Sequence, residues 1–384
     1  MARPVARHRS SAVPLTLLYG ALIVYASLYP FEGWRWPSVS LGHYLGLPWP
    51  RWWTGFDLVS NLLGYMPFGA LLFLAGVRNG WRARQAWLAA TLAALLLSAS
   101  METLQNFLPQ RVASNVDLAL NTLGAALGAG LGVVAQVRGG IARWQTLRDR
   151  WFARRSAGGL VLLVLWPIGL LFPLPLPLGV GQVIPRVREA VLDALEGSSA
   201  EAWSREWLQS GASAAGLTPA GDFLAVALGL LGPCLLAYAI SPPGWRRSVL
   251  CAGALVLGTG ATTLSTALNF APQHALTWAT PAALSALAVG ALLALLMAPL
   301  PRRAAAAMAL VVLTALVALV TQAPTDPYYA QSLQGWEQGR FIRFHGAAQW
   351  VGWLWPYAAM VYLLTAIGAP RERPLRRDSQ LPAP

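Results

Sequence analysis

Residues 100–121 read SMETLQNFLPQRVASNVDLALN and separate two apolar runs, at about 85–107 and 115–137. Roughly 20 apolar residues in helical form cross the hydrocarbon core of a bilayer, so each run is long enough to span. The stretch between them is then the turn of a membrane-embedded helix hairpin. Into that turn and its flanks the chain places Glu102, Gln105, Arg111, Asp117 and Asn121. Polar and ionisable side chains are costly where lipid is the solvent, and those present there tend to serve a function.

Composition extends this reading to the whole chain. Of 384 residues, 56% are hydrophobic and 11% charged, and the mean hydropathy is +0.50. Soluble domains carry about a quarter charged residues, so a soluble enzyme is excluded. Apolar runs recur at about 14–31, 57–77, 85–107, 115–137, 157–178, 220–241, 248–270, 282–300, 304–322 and 346–368. The expectation is an all-α, polytopic transmembrane bundle of about ten spans. Every basic residue is Arg, and with a cytoplasmic N-terminus twenty of them fall inside and eight outside. The positive-inside rule then puts both termini in the cytoplasm. The formal net charge of +13 is thus mostly a topological signal, and no nucleic-acid partner is expected. The N-terminal apolar run is read as an uncleaved first helix, because bulky Leu28, Tyr29 and Pro30 follow the only candidate cleavage site.

The chain divides into a basic tail (1–13), a first membrane module (14–137) and a basic loop (138–156). A second module (157–300) follows, with an outer loop at 179–219, then a helix pair (301–370) and a polar tail (371–384). The modules echo each other. NFLPQR at 106–111 returns as NFAPQH at 269–274, GWRAR at 80–84 as GWRR at 244–247, and Asp57 as Asp222. GWLWPY at 352–357 resembles GLLGPC at 229–234, which suggests parallel 4+4+2 repeats, as some transporter folds show. Aligned on these motifs, Glu102 meets Ser265, Asp117 meets Thr280 and Asn121 meets Leu284. The second copy is degenerate, and only the first keeps the carboxylates.

Within the first module, Asp57, Asn61 and Tyr65 follow each other at four-residue spacing and share a helix face. Ser98, Glu102 and Gln105 form a stripe on the next span, and Asp117 and Asn121 on the one after. That last stripe runs into Gly124, Gly128 and Gly132, a spacing that permits close helix contact. The topology brings all three stripes to the outer face, with Arg111 in the loop above them. Several readings stand open. The residues form an interhelical network that locks the helices. Alternatively they bind an anionic headgroup or sugar, Arg supplying two-pronged hydrogen bonds, with or without a divalent cation on the carboxylates. A hydrolytic or transfer centre built on paired carboxylates and proton-coupled transport are the remaining readings. No organic cofactor is expected.

Other features point to the bilayer. Residues 183–208, VIPRVREAVLDALEGSSAEAWSREWL, carry Val187, Val191 and Leu195 on one helical face, then Trp203 and Trp207. They read as amphipathic helices lying on the membrane or covering the bundle. The loop RGGIARWQTLRDRWFARR (138–155) suits anionic headgroups. Pro67, Pro233 and Pro356 are expected to kink their helices. His43, His274 and His345 stand alone, without metal-ligand spacing, and Cys234 and Cys251 fall inside spans, which implies no disulfide framework.

With an Asp opening a span, NLLGYMPFG at 61–69 and ETLQNFLPQRVASNVDLALNTLGAALG at 102–128, the chain resembles the VanZ-like family of bacterial membrane proteins over about residues 20–137. The resemblance carries family positions onto Asp57, Asn61, Tyr65, Pro67, Gly69, Glu102, Gln105, Arg111, Asp117, Asn121 and Gly124. It implies a multi-pass protein of the bacterial plasma membrane; with the polar stripes above, the expected role is in the cell envelope, through an outward-facing site that engages an anionic lipid-linked or cell-wall component. The family takes its name from an accessory protein of glycopeptide resistance, associated with teicoplanin. A structural scaffold and an enzyme acting on lipid-linked substrates are the alternatives. Many members are single-module proteins, whereas this chain adds about 240 residues.

Overall fold

In a computed structural model, residues 12–29, 31–36, 55–109, 111–153, 155–198, 217–270, 272–323 and 342–368 are described. Twelve α-helices are defined among them: α1 (Ala12–Leu28), α2 (Gly55–Arg78), α3 (Ala83–Gln105), α4 (Asn115–Val137), α5 (Gly140–Trp151), α6 (Ala157–Gly169), α7 (Val183–Leu195), α8 (Pro219–Ile240), α9 (Trp245–Phe270), α10 (Pro281–Met297), α11 (Arg302–Val320) and α12 (Ile342–Gly368). No strand occurs among the described residues. Seven helices (α2, α3, α4, α8, α9, α11 and α12) are long and apolar enough to cross a membrane, and three shorter apolar ones (α1, α6, α10) occupy the other expected positions.

The fifth expected span departs from a single helix. Helix α6 ends at Gly169, and the chain continues to 182 in turns and irregular backbone. Pro173, Pro175 and Pro177 lack the N–H groups a helix needs, while Leu178 and Gly181 adopt positive φ, 62° and 117°. By contrast Pro67, Pro233 and Pro356 lie inside α2, α8 and α12 without ending them.

The first module is built on α2 and α4. Helix α4 begins where Ser114 accepts the Asp117 N–H (3.3 Å), and Asp117 adds a negative charge in its first turn. A Cβ at Gly124 would collide with the Leu62 carbonyl, one at Gly128 with Met66 O, and one at Gly69 with Ala125 O. Glycine there lets the two backbones touch, which is how helices associate where no hydrophobic drive separates protein from lipid. Helices α1 and α3 pack on the flanks of this pair.

In the second half α8 is the centre. It is apolar on every side, and 83% of its most apolar window is buried, as expected of a helix with no polar face. Helices α6, α9, α10, α11 and α12 surround it. Helix α6 meets α12 backbone to backbone at Gly169 and Gly352, and α1 rests on α12 where Gly346 faces the Tyr25 hydroxyl.

Pairings seen among α1–α4 recur among α6, α8, α9 and α10. Asn269 Nδ2 donates to Ser265 O (2.7 Å), just as Asn106 Nδ2 donates to Glu102 O (2.9 Å). Thr280 caps α10 by accepting the Ala283 N–H (3.2 Å), as Ser114 caps α4. A Cβ at Gly290 would stand 2.6 Å from Ala227 O, the counterpart of Gly124 against Leu62. Counted from the caps, Thr280 takes the place of Ser114, a register three residues from that of the motif alignment. Ala283 then stands at the Asp117 position and Leu287 at that of Asn121.

Two peripheral segments expose apolar side chains. Helix α7 leaves Ile184, Val187 and Val191 exposed on one face. In α5, Trp144 and Leu147 are exposed while Arg148 is buried. The basic tail, His43, Trp203, Trp207, most of the segment before α12 and the polar tail lie outside the described residues, as do the side chains of Asp57, Arg343 and His345.

Candidate functional site

The site forms where α2, the end of α3 and the start of α4 converge. Glu102 is 3% exposed, and its Oε2 accepts the Ser114 N–H (2.8 Å). Because the Ser114 side chain caps α4, the Glu102 carboxylate ties the end of α3 to the cap of α4. The negative charge of Asp117 lies within electrostatic reach of it. One helical turn inward, Asn121 Nδ2 donates to Ser98 Oγ (3.0 Å), both buried. Tyr65 brings its hydroxyl beside Ser98 from α2 without closing a hydrogen bond. Asn121 Oδ1 and Tyr65 Oη are fully buried and find no partner among the described residues. Buried polar atoms are nearly always satisfied, so these two leave hydrogen-bonding capacity unused among the described residues.

Gln105 and Arg111 turn the other way, toward α1. Gln105 Nε2 donates to Ser27 O (3.1 Å), and Arg111 Nη2 donates to Tyr29 O (2.6 Å) and Ala26 O (3.3 Å). A helix end leaves carbonyls without intrahelical partners and carries partial negative charge. A guanidinium satisfies both needs. Phe107 O receives the Arg35 N–H (2.9 Å), which draws residues 31–36 against the α3–α4 loop. Leu28, Met101 and Leu108 pack beneath.

The structure thus brings Tyr65, Glu102, Asp117 and Asn121 together and assigns Gln105 and Arg111 to the α1 junction. Asn61 is half-buried on α2, and its side chain forms no hydrogen bond with a described residue. The side chain of Asp57 lies outside the described residues. Ser114 and Ser98 complete the set. Ser114 was legible in the sequence as the first residue of a Ser-x-x-Asp cap, and Ser98 through its four-residue spacing from Glu102. Among the described residues no three His, Cys, Asp or Glu side chains converge as a metal would require. The acceptors present suit hydroxyl or ammonium donors, or a cation held by Glu102 and Asp117.

Long apolar helices with a polar set buried at their ends define a polytopic α-helical membrane protein. Residues 10–136 match the family model described as VanZ/LLP1, and the chain carries a VanZ-like module there. No curated protein and no solved structure matches the chain.

Proposed function

We propose that the VanZ-like module holds the polar head of a lipid-linked envelope component at the outer face of a bacterial plasma membrane. The incompletely satisfied polar set at the helix ends carries this reading. Sugar hydroxyls would donate to Glu102 and Asn121, and the charge of Arg111, in the loop above them, would face a phosphate. The ten apolar helices cross the membrane with both termini inside, and helices α6, α8, α9 and α10 are a degenerate second copy of α1–α4 that serves as scaffold. The link to glycopeptide resistance rests on the family likeness alone.

A second reading has support of its own. The Glu102–Ser114, Asn121–Ser98 and Arg111–α1 hydrogen bonds all join separate segments, as a helix lock would. Binding of a polyprenyl-diphosphate sugar to the purified chain in nanodiscs separates the two. Glu102→Gln and Asp117→Asn should each weaken binding at least tenfold, about 1.4 kcal/mol, with the melting temperature nearly unchanged. Unchanged binding with a large fall in melting temperature would decide for the lock. Arg111→Ala should loosen α1 in either case, because Nη2 holds the Tyr29 and Ala26 carbonyls.

The orientation has its own test at the two ends of α4. Val112 is 85% exposed and Val137 82%, so cysteine replaces either with little structural cost. An impermeant thiol reagent applied to whole cells should label Val112→Cys and spare Val137→Cys. The reverse pattern would place the polar site on the cytoplasmic face.

A further inference from the structure

The second half holds a cavity of about 330 Å³ at the same end of the bundle as the polar set of the first. It lies between the irregular segment after α6, the start of α8, the end of α9 and the start of α10. The local correspondences explain why space exists there. Where Glu102 reaches across to the Ser114 N–H, the second half has Ser265, three heavy atoms shorter, whose Oγ donates instead to Leu171 O (2.9 Å). Where Asp117 and Asn121 stand, it has Ala283 and Leu287.

The walls define the chemistry of an occupant. Pro173, Pro175, Phe223, Val226, Phe270 and Trp278 offer apolar surface. The polar side chains offer acceptors. Thr262, Ser265 and Thr266 already give their hydroxyl protons to Gly258 O, Leu171 O and Thr262 O. The Trp278 N–H is given to Thr263 Oγ1 (3.0 Å), and the Thr280 hydroxyl accepts from Ala283. Asp222 adds a negative charge at the rim, and among the described residues no side chain pairs with its carboxylate. A site with a carboxylate, three hydroxyls already committed as donors and aromatic faces selects a cation that can donate hydrogen bonds.

We propose that this cavity binds a primary-ammonium amphiphile, its ammonium on Asp222 and its chain against the proline-rich segment. A phosphatidylethanolamine headgroup and a free long-chain amine share that chemistry. The test uses the full chain in phosphatidylglycerol nanodiscs, doped with phosphatidylethanolamine or phosphatidylcholine, or titrated with dodecylammonium. Phosphatidylethanolamine or dodecylammonium should raise the melting temperature, while phosphatidylcholine, whose trimethylammonium has no N–H, should not. A rise with dodecylammonium alone would name a free amine as the source. Asp222→Asn should weaken dodecylammonium binding at least about tenfold. Ala282→Trp, at an exposed position on the wall, should block it without touching a structural hydrogen bond. Asp117→Asn in the first module should leave it intact, which separates this site from the one proposed above. No stabilisation by either amine, equal stabilisation by phosphatidylcholine, or full retention in Asp222→Asn would overturn the proposal.

Discussion

Gly128→Val should abolish stable packing of the first module, with a loss beyond the 1–3 kcal/mol typical of overpacking. The added Cβ would collide with the Met66 carbonyl oxygen, and a backbone atom in a hydrogen-bonded helix cannot swing aside as a side-chain tip can. Helices α2 and α4 would have to separate, and with them Tyr65 and Asn121, so the polar set would be lost along with the fold. Gly64→Val is the matched control on α2, because a Cβ there meets nothing within 4 Å. Melting temperature in detergent and yield from membranes measure both. Equal tolerance of the two substitutions would mean that α2 and α4 are not held in backbone contact.

Arg247→Ala should be nearly as damaging in the second half. The side chain is fully buried. Its Nη2 donates to Tyr238 O (2.7 Å) and Ser241 O (2.8 Å) at the end of α8, and its Nη1 to Ala298 O (2.8 Å) and Leu300 O (2.5 Å) beyond α10. The guanidinium also lies over the Tyr238 ring at 5.1 Å. One cation therefore satisfies orphan carbonyls of two helix ends and opposes both their dipoles. Hydrogen bonds to charged groups contribute about 1.5–3 kcal/mol each, and removal strips all four carbonyls of this donor, leaving Tyr238 O only the Ser241 N–H at 3.4 Å. A loss of roughly 3–5 kcal/mol is expected, of the size seen when a buried charge network is broken. Arg247→Lys should recover only part, since an ammonium has three donors and no planar fork. Arg246→Ala, one residue earlier and half-exposed, should change little. A similar loss at both positions would show that surface charge, and not the carbonyl clamp, carries the effect.

Whatever depends on local patterning and on the cost of polarity in lipid could be read from the residues alone. Apolar run length located the apolar helices. Four-residue spacing put Tyr65, Ser98, Glu102, Asp117 and Asn121 on faces that do meet, and the glycines of α4 announced a close contact. The VanZ-like module was legible from its motif set, and residues 10–136 match that family. How each polar group is used depends on contacts between helices far apart in the chain. Arg246 and Arg247 are identical in sequence logic, two charges on the inner side, yet one clamps four carbonyls because its rotamer faces the ends of α8 and α10. Arg111 lies in the loop where a ligand-binding cation was expected, but its Nη2 is spent on α1, whose end no local pattern places beside it. The second half shows the same limit. Asn106 to Ser114 spans three fewer residues than Asn269 to Thr280, and an apolar, low-complexity stretch gives an alignment nothing with which to detect the added length. Only the caps, which fix where each helix starts by hydrogen bonding, suggest a register, and only packing reveals the cavity beside Ser265.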